Sequence, residues 1–73
     1  MTEVPDPRQY MRIAAEVRQG LSEGRWKAGE PIPSITTLSQ ERGVARQTAA
    51  KALRMLEAEG LLARVPGLGY YVR

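Results

Sequence analysis

The stretch that decides the fold is residues 34–60, SITTLSQERGVARQTAAKALRMLEAEG. A serine that can cap a helix opens this stretch, and Gly43 and Gly60 can each end a helix. Apolar residues recur at helical spacing between these marks, which predicts helices over 35–42 and 46–59 with only three residues between them. Two helices joined so closely form the helix-turn-helix layout, whose second helix can lie in the DNA major groove.

A further helix precedes this stretch. It is predicted to begin at Pro7, with Asp6 as its cap, and to end before Gly24. Its apolar positions are Tyr10, Ile13, Ala14, Val17 and Leu21. Gly20 interrupts the pattern at a cost of about 1 kcal/mol relative to alanine, which a close packing neighbour would explain. We interpret Trp26 as a core residue or a lid over this helix.

An extended segment and a hairpin complete the predicted architecture. Residues 29–33 contain two prolines, which favours an extended edge segment over a helix. Residues 61–65 and 70–72 are predicted strands, and Pro66-Gly67 between them is a typical turn pair. The sequence therefore predicts a mainly α fold with a small β-hairpin, a winged helix-turn-helix of three helices plus a wing.

The composition limits both organisation and chemistry. With 73 residues there is room for one domain, so we expect a flexible arm at 1–5 and a winged helix at 6–73. The chain has no Cys and no His, which excludes disulfides, Cys/His zinc sites and histidine-dependent catalytic triads. We expect no cofactor and no metal. The sequence shows neither a bilayer-spanning apolar run nor a signal peptide, which predicts a cytoplasmic protein without membrane contact.

The net charge of +3 belongs to the C-terminal part of the chain. Residues 1–43 hold six basic and six acidic side chains, whereas residues 44–73 hold five basic and two acidic ones. Such an excess is either an ordinary solvated face or an electrostatic footprint for a phosphate backbone. Charge alone does not separate these two interpretations.

The outward side of the third helix favours nucleic acid. Residues opposite its apolar stripe share one side of the helix: Arg46, Gln47, Ala50, Lys51 and Arg54. Arginine can donate two hydrogen bonds to guanine, glutamine can bond adenine twice, and an alanine methyl can meet thymine. We predict base contacts from Arg46, Gln47, Ala50 and Lys51. The predicted phosphate contacts are Ser34, Thr48, Arg54 and Arg64.

The hairpin has features of a DNA-contacting wing. Gly67 and Gly69 let the backbone approach a minor groove or phosphates closely, although both glycines also suit a plain turn. Arg64 would add positive charge at the base of the wing. Because Tyr70 and Tyr71 alternate along a strand, we expect one of them to pack on the core.

Several motifs in a fixed order carry a family resemblance. They are GEPIPS at 29–34, Leu38, GVARQT at 43–48, KAL at 51–53, LEAEGLL at 56–62 and GLGYYV at 67–72. Together they resemble the winged-helix DNA-binding domain of the gluconate-repressor (GntR) family of bacterial transcription regulators. The resemblance covers roughly residues 8–72.

The resemblance implies roles for individual residues. Arg46 matches the family's base-reading arginine, while Gln47 and Thr48 match positions that usually hold DNA-contacting threonines. Ser34 matches the capping serine near the DNA backbone. The wing's glycine pair is matched by Gly67 and Gly69. The implied function is a repressor that binds a double-stranded DNA operator and blocks promoter access.

This chain departs from the family pattern at positions expected to face DNA. The family commonly has arginine where this chain has Thr36 and Ala50, and a basic or polar residue where it has Leu68. Ala45 replaces the serine that opens the third helix, which removes a capping hydroxyl worth about 1 kcal/mol. Three expected polar or charged contacts are thus missing, and Lys51, at a position often acidic in the family, offsets part of their loss. We expect an unusual operator or a modest affinity per domain.

Family members usually carry a second domain that binds a small metabolite and dimerises. The sequence predicts no effector-binding domain after the wing, which leaves two interpretations: a domain separated from a longer protein, or a naturally short regulator. Because one recognition helix covers few base pairs, a homodimer on DNA is a further hypothesis, although no apolar stripe is left over for dimerisation.

Two other classes of function are alternatives. Winged helices also serve as protein-protein docking modules, and this alternative predicts no enrichment of any DNA sequence. An enzyme has little support, because Glu16, Glu57 and Glu59 lie on predicted solvent faces and so small a core leaves no room for a catalytic cleft.

Overall fold

A computed structural model describes residues 7–73, which form three helices and an antiparallel hairpin in the predicted order. The elements are α1 (Pro7–Ser22), α2 (Ile35–Arg42), α3 (Arg46–Ala58), β1 (Leu62–Val65) and β2 (Gly69–Val72). The mainly α winged helix-turn-helix is thus confirmed, with small shifts at element ends. The arm at 1–5 and the Asp6 cap lie outside the described residues. No helix in the described chain is both long and apolar enough to span a bilayer.

The core forms where α3 packs against α1, α2 and the hairpin. The side chains that α3 contributes have no exposed surface: Ala49, Ala52, Leu53 and Leu56. The other elements add Ile13, Ala14, Val17, Ile32, Leu38, Leu62 and Tyr70. Because all of these contacts use one side of α3, its opposite side remains exposed to solvent.

Hydrogen bonds at Ser39 hold the turn between α2 and α3. Gly43 adopts the left-handed conformation, with φ of 63°, which a residue with a Cβ adopts only with strain. The Ser39 carbonyl accepts the N–H groups of Gly43 and Val44, and its hydroxyl donates to the Val44 carbonyl at 2.6 Å. At the start of α2, the Ser34 hydroxyl accepts the Thr37 N–H at 3.0 Å, as predicted. These bonds fix both ends of α2 and the path into α3.

The extended segment between α1 and α2 pairs with the hairpin. The Ile32 N–H donates to the Tyr70 carbonyl at 3.1 Å, and the Val72 N–H donates to the Glu30 carbonyl at 2.9 Å. The segment therefore forms a short additional edge on β2. As expected, one of the two tyrosines packs on the core: Tyr70 is 6% exposed, whereas Tyr71 is only partly buried.

Two glutamates form ion pairs with arginines of neighbouring elements. The prediction that Glu16 faces water is wrong for its Oε2, which is shielded from solvent and lies 2.6 Å from Arg42 Nη2. The end of α2, at Arg42, therefore lies beside the side of α1 that carries Glu16. Glu59 accepts both Arg18 Nη2 contacts, at 2.8 and 3.0 Å, which ties the end of α3 to α1.

Gly20 is explained by the indole ring of Trp26. A Cβ placed on Gly20 would overlap the far edge of this ring. The Arg25 guanidinium lies over the same ring, 5.5 Å from its centroid. Trp26 therefore forms a lid over α1, and the close neighbour expected for Gly20 is confirmed.

We predict that Gly20→Ala lowers the free energy of unfolding by about 1 kcal/mol. Alanine gains about 1 kcal/mol of helix propensity, but overpacking against the ring costs about 1–3 kcal/mol. Thermal unfolding measures the change. The matched control is the same substitution in a Trp26→Ala background, where the clash is gone and alanine should stabilise. A stabilising effect with Trp26 present would contradict this explanation.

Candidate nucleic-acid interface

The exposed side of α3 brings together the residues predicted from the sequence. Four of its side chains are exposed and Ala50 is partly buried, and we call this set the α3 face: Arg46, Gln47, Ala50, Lys51 and Arg54. The set lies opposite the buried stripe of the same helix. Its arginines, lysine and amide are hydrogen-bond donors that suit guanine, adenine and phosphate oxygens.

The arginines of this surface have no carboxylate partner among the described residues. Arg46, Arg54 and the wing residue Arg64 make no ion pair with any residue in 7–73. Arginines of other elements do form ion pairs: Arg18 with Glu59, Arg25 with Glu23 and Arg42 with Glu16. A phosphate backbone would thus meet guanidinium groups without displacing a carboxylate, which favours counterion-release binding.

The N-terminus of α3 presents unbonded backbone donors. Ala45 is the N-cap residue and supplies no side-chain hydrogen bond, as its lack of a hydroxyl predicts. The Ala45 carbonyl accepts the N–H groups of Thr48 and Ala49, but those of Arg46 and Gln47 have no partner within the described chain. Such groups, at the positive end of the helix dipole, are suited to phosphate oxygens.

The burial of Thr48 argues against the phosphate contact that the sequence predicted for its side chain. Its side chain is 1% exposed, so a phosphate does not reach the hydroxyl in this conformation. The sequence contained a signal for this burial, because Thr48 stands one helical step of four residues before Ala52 and two before Leu56. Thr48 therefore belongs to the edge of the buried stripe and not to the α3 face.

The N-terminus of α2 is exposed, and the Ser34 hydroxyl there already forms hydrogen bonds within the protein. Ser34 accepts the Thr37 N–H and donates to Thr37 Oγ1, both at 3.0 Å. A phosphate contact from this hydroxyl would have to replace its bond to Thr37. Thr36, in the first turn of α2, is exposed and holds the position where the family commonly has arginine.

The wing presents an apolar tip. The Leu68 N–H donates to the Val65 carbonyl at 3.0 Å and closes the turn, while Gly67 and Gly69 have φ values of 81° and 120°. These conformations favour glycine at both positions. The Leu68 side chain between them is 71% exposed, and Arg64 on β1 is exposed as well.

Lys51 has a partner that no sequence pattern indicated. Its Nζ lies 4.4 Å from the centroid of the Tyr10 ring on α1, which is a cation–π contact. The pair is far apart in sequence, so only the packing of α1 against α3 brings it together. Tyr10 is the candidate functional residue that sequence reasoning missed.

Comparisons with known proteins agree with this architecture. Residues 9–72 match the family model of bacterial regulatory proteins, gntR family. The chain is 39% identical over 72 residues to the histidine utilization repressor of Pseudomonas putida, across 99% of this chain and 29% of that protein. It is 36% identical over 64 residues to the HTH-type transcriptional regulator TreR of Bacillus subtilis, across 88% of this chain and 27% of that protein.

A solved structure shares the whole fold. The crystal structure of the AraR DNA-binding domain in complex with operator ORE1 has a TM-score of 0.88 and 32% identity, covering 100% of this chain and 88% of that chain. The chain spans less than a third of the length of the repressor and TreR sequences above. The family match over residues 9–72 and these identities show that the chain belongs to the GntR family of bacterial regulatory proteins.

Proposed function

We propose that this chain is a sequence-specific duplex-DNA-binding repressor that inserts α3 into the major groove, places its wing near the minor groove, and blocks promoter access. The observation that carries the proposal is the α3 face, which is exposed and keeps its arginine charges unpaired within residues 7–73. The AraR domain bound to operator DNA and the relatives named as repressors support it.

Base reading is assigned to the first turns of α3. Arg46 and Gln47 stand where groove-entering helices usually touch bases, and the Ala50 methyl can meet a thymine methyl. Lys51 is better placed for a phosphate than for a base, because its ammonium lies over a ring of α1 at one edge of the α3 face. This assignment changes the sequence-based prediction for Lys51.

Backbone contacts are assigned to the residues that flank the reading turns. Arg54 and Arg64 offer charged donors, and the N-termini of α2 and α3 offer backbone and hydroxyl donors, including those of Ser34 and Thr36. Gly67 and Gly69 allow the wing backbone to approach the minor groove closely. Most of the affinity would come from these sequence-independent contacts.

The proposal includes two copies on one operator in the bacterial cytoplasm. A single recognition helix covers few base pairs, and regulators of this type commonly bind half-sites about 34 Å apart. The large hydrophobic side chains exposed in residues 8–73 are Met11 and Leu68, which do not form an apolar stripe. The described residues therefore offer no apolar dimer contact, and the spacing of the two copies on DNA would follow the spacing of the half-sites. We assign the chain no catalytic role.

Selection of bound duplexes from a random DNA pool tests the proposal at near-physiological salt. The expected result is a motif with two related half-sites. The alternative is a protein-protein docking module, which the exposed apolar tip at Leu68 also suits. It predicts that no sequence is enriched and that weak binding disappears as salt rises. That outcome would contradict sequence-specific recognition.

We predict that Arg46→Ala weakens binding to the selected duplex by about 1–3 kcal/mol and relaxes the preference at one base pair of each half-site. The loss follows from removing two donors to one base. Competition with single-base variants of the duplex measures the preference. Lys27→Ala is the matched control, since it removes one positive charge from a loop outside α3 and the wing. An unchanged site preference in Arg46→Ala would exclude the assigned base contact.

Arg54→Ala should have a different signature, because a phosphate contact carries no sequence information. We expect selected and random-sequence duplexes to lose affinity equally, and the slope of log K against log salt to fall by about 1. Titrations at several salt concentrations measure both quantities. A loss confined to the selected duplex would show that Arg54 reads a base instead.

Leu68→Lys should strengthen binding to every duplex. The substitution adds a cation at an exposed wing tip, and one more phosphate contact raises the salt slope by about 1. Leu68→Ala is the control for loss of the apolar side chain and should change affinity little. Weaker binding by the lysine variant would contradict the placement of this tip beside the DNA backbone.

A further inference from the structure

We infer that Tyr10 is a positioning residue for DNA binding, because its ring holds the Lys51 ammonium at the edge of the α3 face. The inference rests on the proposed function and extends the interface to α1, an element that none of the assigned contacts includes. Tyr10 acts through Lys51 and needs no contact with DNA of its own.

The geometry of the Tyr10–Lys51 pair suits a cation–π contact. Lys51 Nζ lies 4.4 Å from the ring centroid, well inside the range of about 6 Å over which an aromatic ring attracts a cation. Tyr10 is partly buried and packs against the core, which fixes the ring relative to α3. Lys51 is exposed, so its ammonium stays accessible to a phosphate oxygen.

Contact with the ring reduces the flexibility of the Lys51 side chain. A solvated lysine side chain samples many rotamers, and it loses most of that freedom when it binds a phosphate. A side chain already held against a ring has less freedom to lose, which strengthens binding without any new contact to DNA. The contact with Tyr10 keeps the Lys51 ammonium on the side of α3 that faces α1.

The Tyr10 ring holds Lys51 without bringing a negative charge beside it. Arg18 and Arg42 are each ordered by a carboxylate, which compensates their charge. The Arg25 guanidinium also lies over a ring, but it has the Glu23 carboxylate at 3.5 Å. Lys51 is held by a ring and has no carboxylate partner among the described residues, so a phosphate would not have to displace one.

A double-mutant cycle tests the inference with the full chain. The variants are Tyr10→Leu, Tyr10→Phe, Lys51→Ala and the combination of Tyr10→Leu with Lys51→Ala. The probes are a duplex recovered by selection and a random-sequence duplex of equal length, each titrated over a series of salt concentrations. Thermal unfolding of each variant shows that the fold is kept.

We expect Tyr10→Leu to weaken binding to both duplexes by about two- to fivefold. Tyr10→Phe keeps the ring and should bind like the unchanged chain. In the Lys51→Ala background, Tyr10→Leu should have no further effect. Equal losses in the presence and absence of Lys51 would overturn the inference. A loss in Tyr10→Phe as large as in Tyr10→Leu would also overturn it, since the hydroxyl would then be the important group.

A spectroscopic measurement keeps the inference testable if Tyr10→Leu does not fold. The sequence has two lysines, at 27 and 51, so their side-chain NMR signals are easily told apart. Ring currents should move the ε-methylene protons of Lys51 upfield of those of Lys27, and Tyr10→Phe should preserve this shift. Coincident signals for the two lysines would overturn the inference.

The outcomes also separate this inference from the proposed function. If no duplex is enriched and Arg46→Ala changes nothing, the proposed DNA reading fails as a whole. If Arg46→Ala and Lys51→Ala weaken binding while a folded Tyr10→Leu does not, only the role of Tyr10 fails.

Discussion

The burial of one side of α3 is the constraint on which the rest of the structure depends. Ala49, Ala52, Leu53 and Leu56 have no exposed surface, and their side chains form the contact with α1, α2 and β1. Two of the four are alanines, which allow neighbouring helices to approach closely. A helix with its apolar side filled in this way presents the opposite side to solvent. The α3 face is therefore a geometric consequence of the core.

The distribution of charge partners distinguishes this surface from the rest of the molecule. Carboxylates of α1, the following loop and the end of α3 take up arginines away from the α3 face. Arg46 and Arg54 are left without such partners among residues 7–73, and Lys51 is ordered by a neutral ring. Exposed ion pairs of this kind stabilise a fold little. Here the ion pairs compensate arginines on other elements and leave the uncompensated positive charge on the α3 face.

Local signals in the sequence were sufficient to predict the fold. Ser34, Gly43, Gly60 and the Pro66-Gly67 pair mark element ends through their own backbone and capping chemistry, which neighbouring elements do not alter. The members of the α3 face were also predictable, because helical spacing places them opposite the apolar stripe.

Contacts between elements were not predictable from these local signals. The pairs Glu16–Arg42 and Tyr10–Lys51 depend on how α1 lies against α2 and α3, which no spacing rule specifies.

Chemical-shift mapping in an NMR titration with a selected duplex tests most directly whether the α3 face and the wing bind DNA. If α3 and the wing contact DNA, the largest amide shifts fall in the first turns of α2 and α3 and around residues 64–69. Shifts concentrated instead between α1 and the end of α2 would contradict this contact.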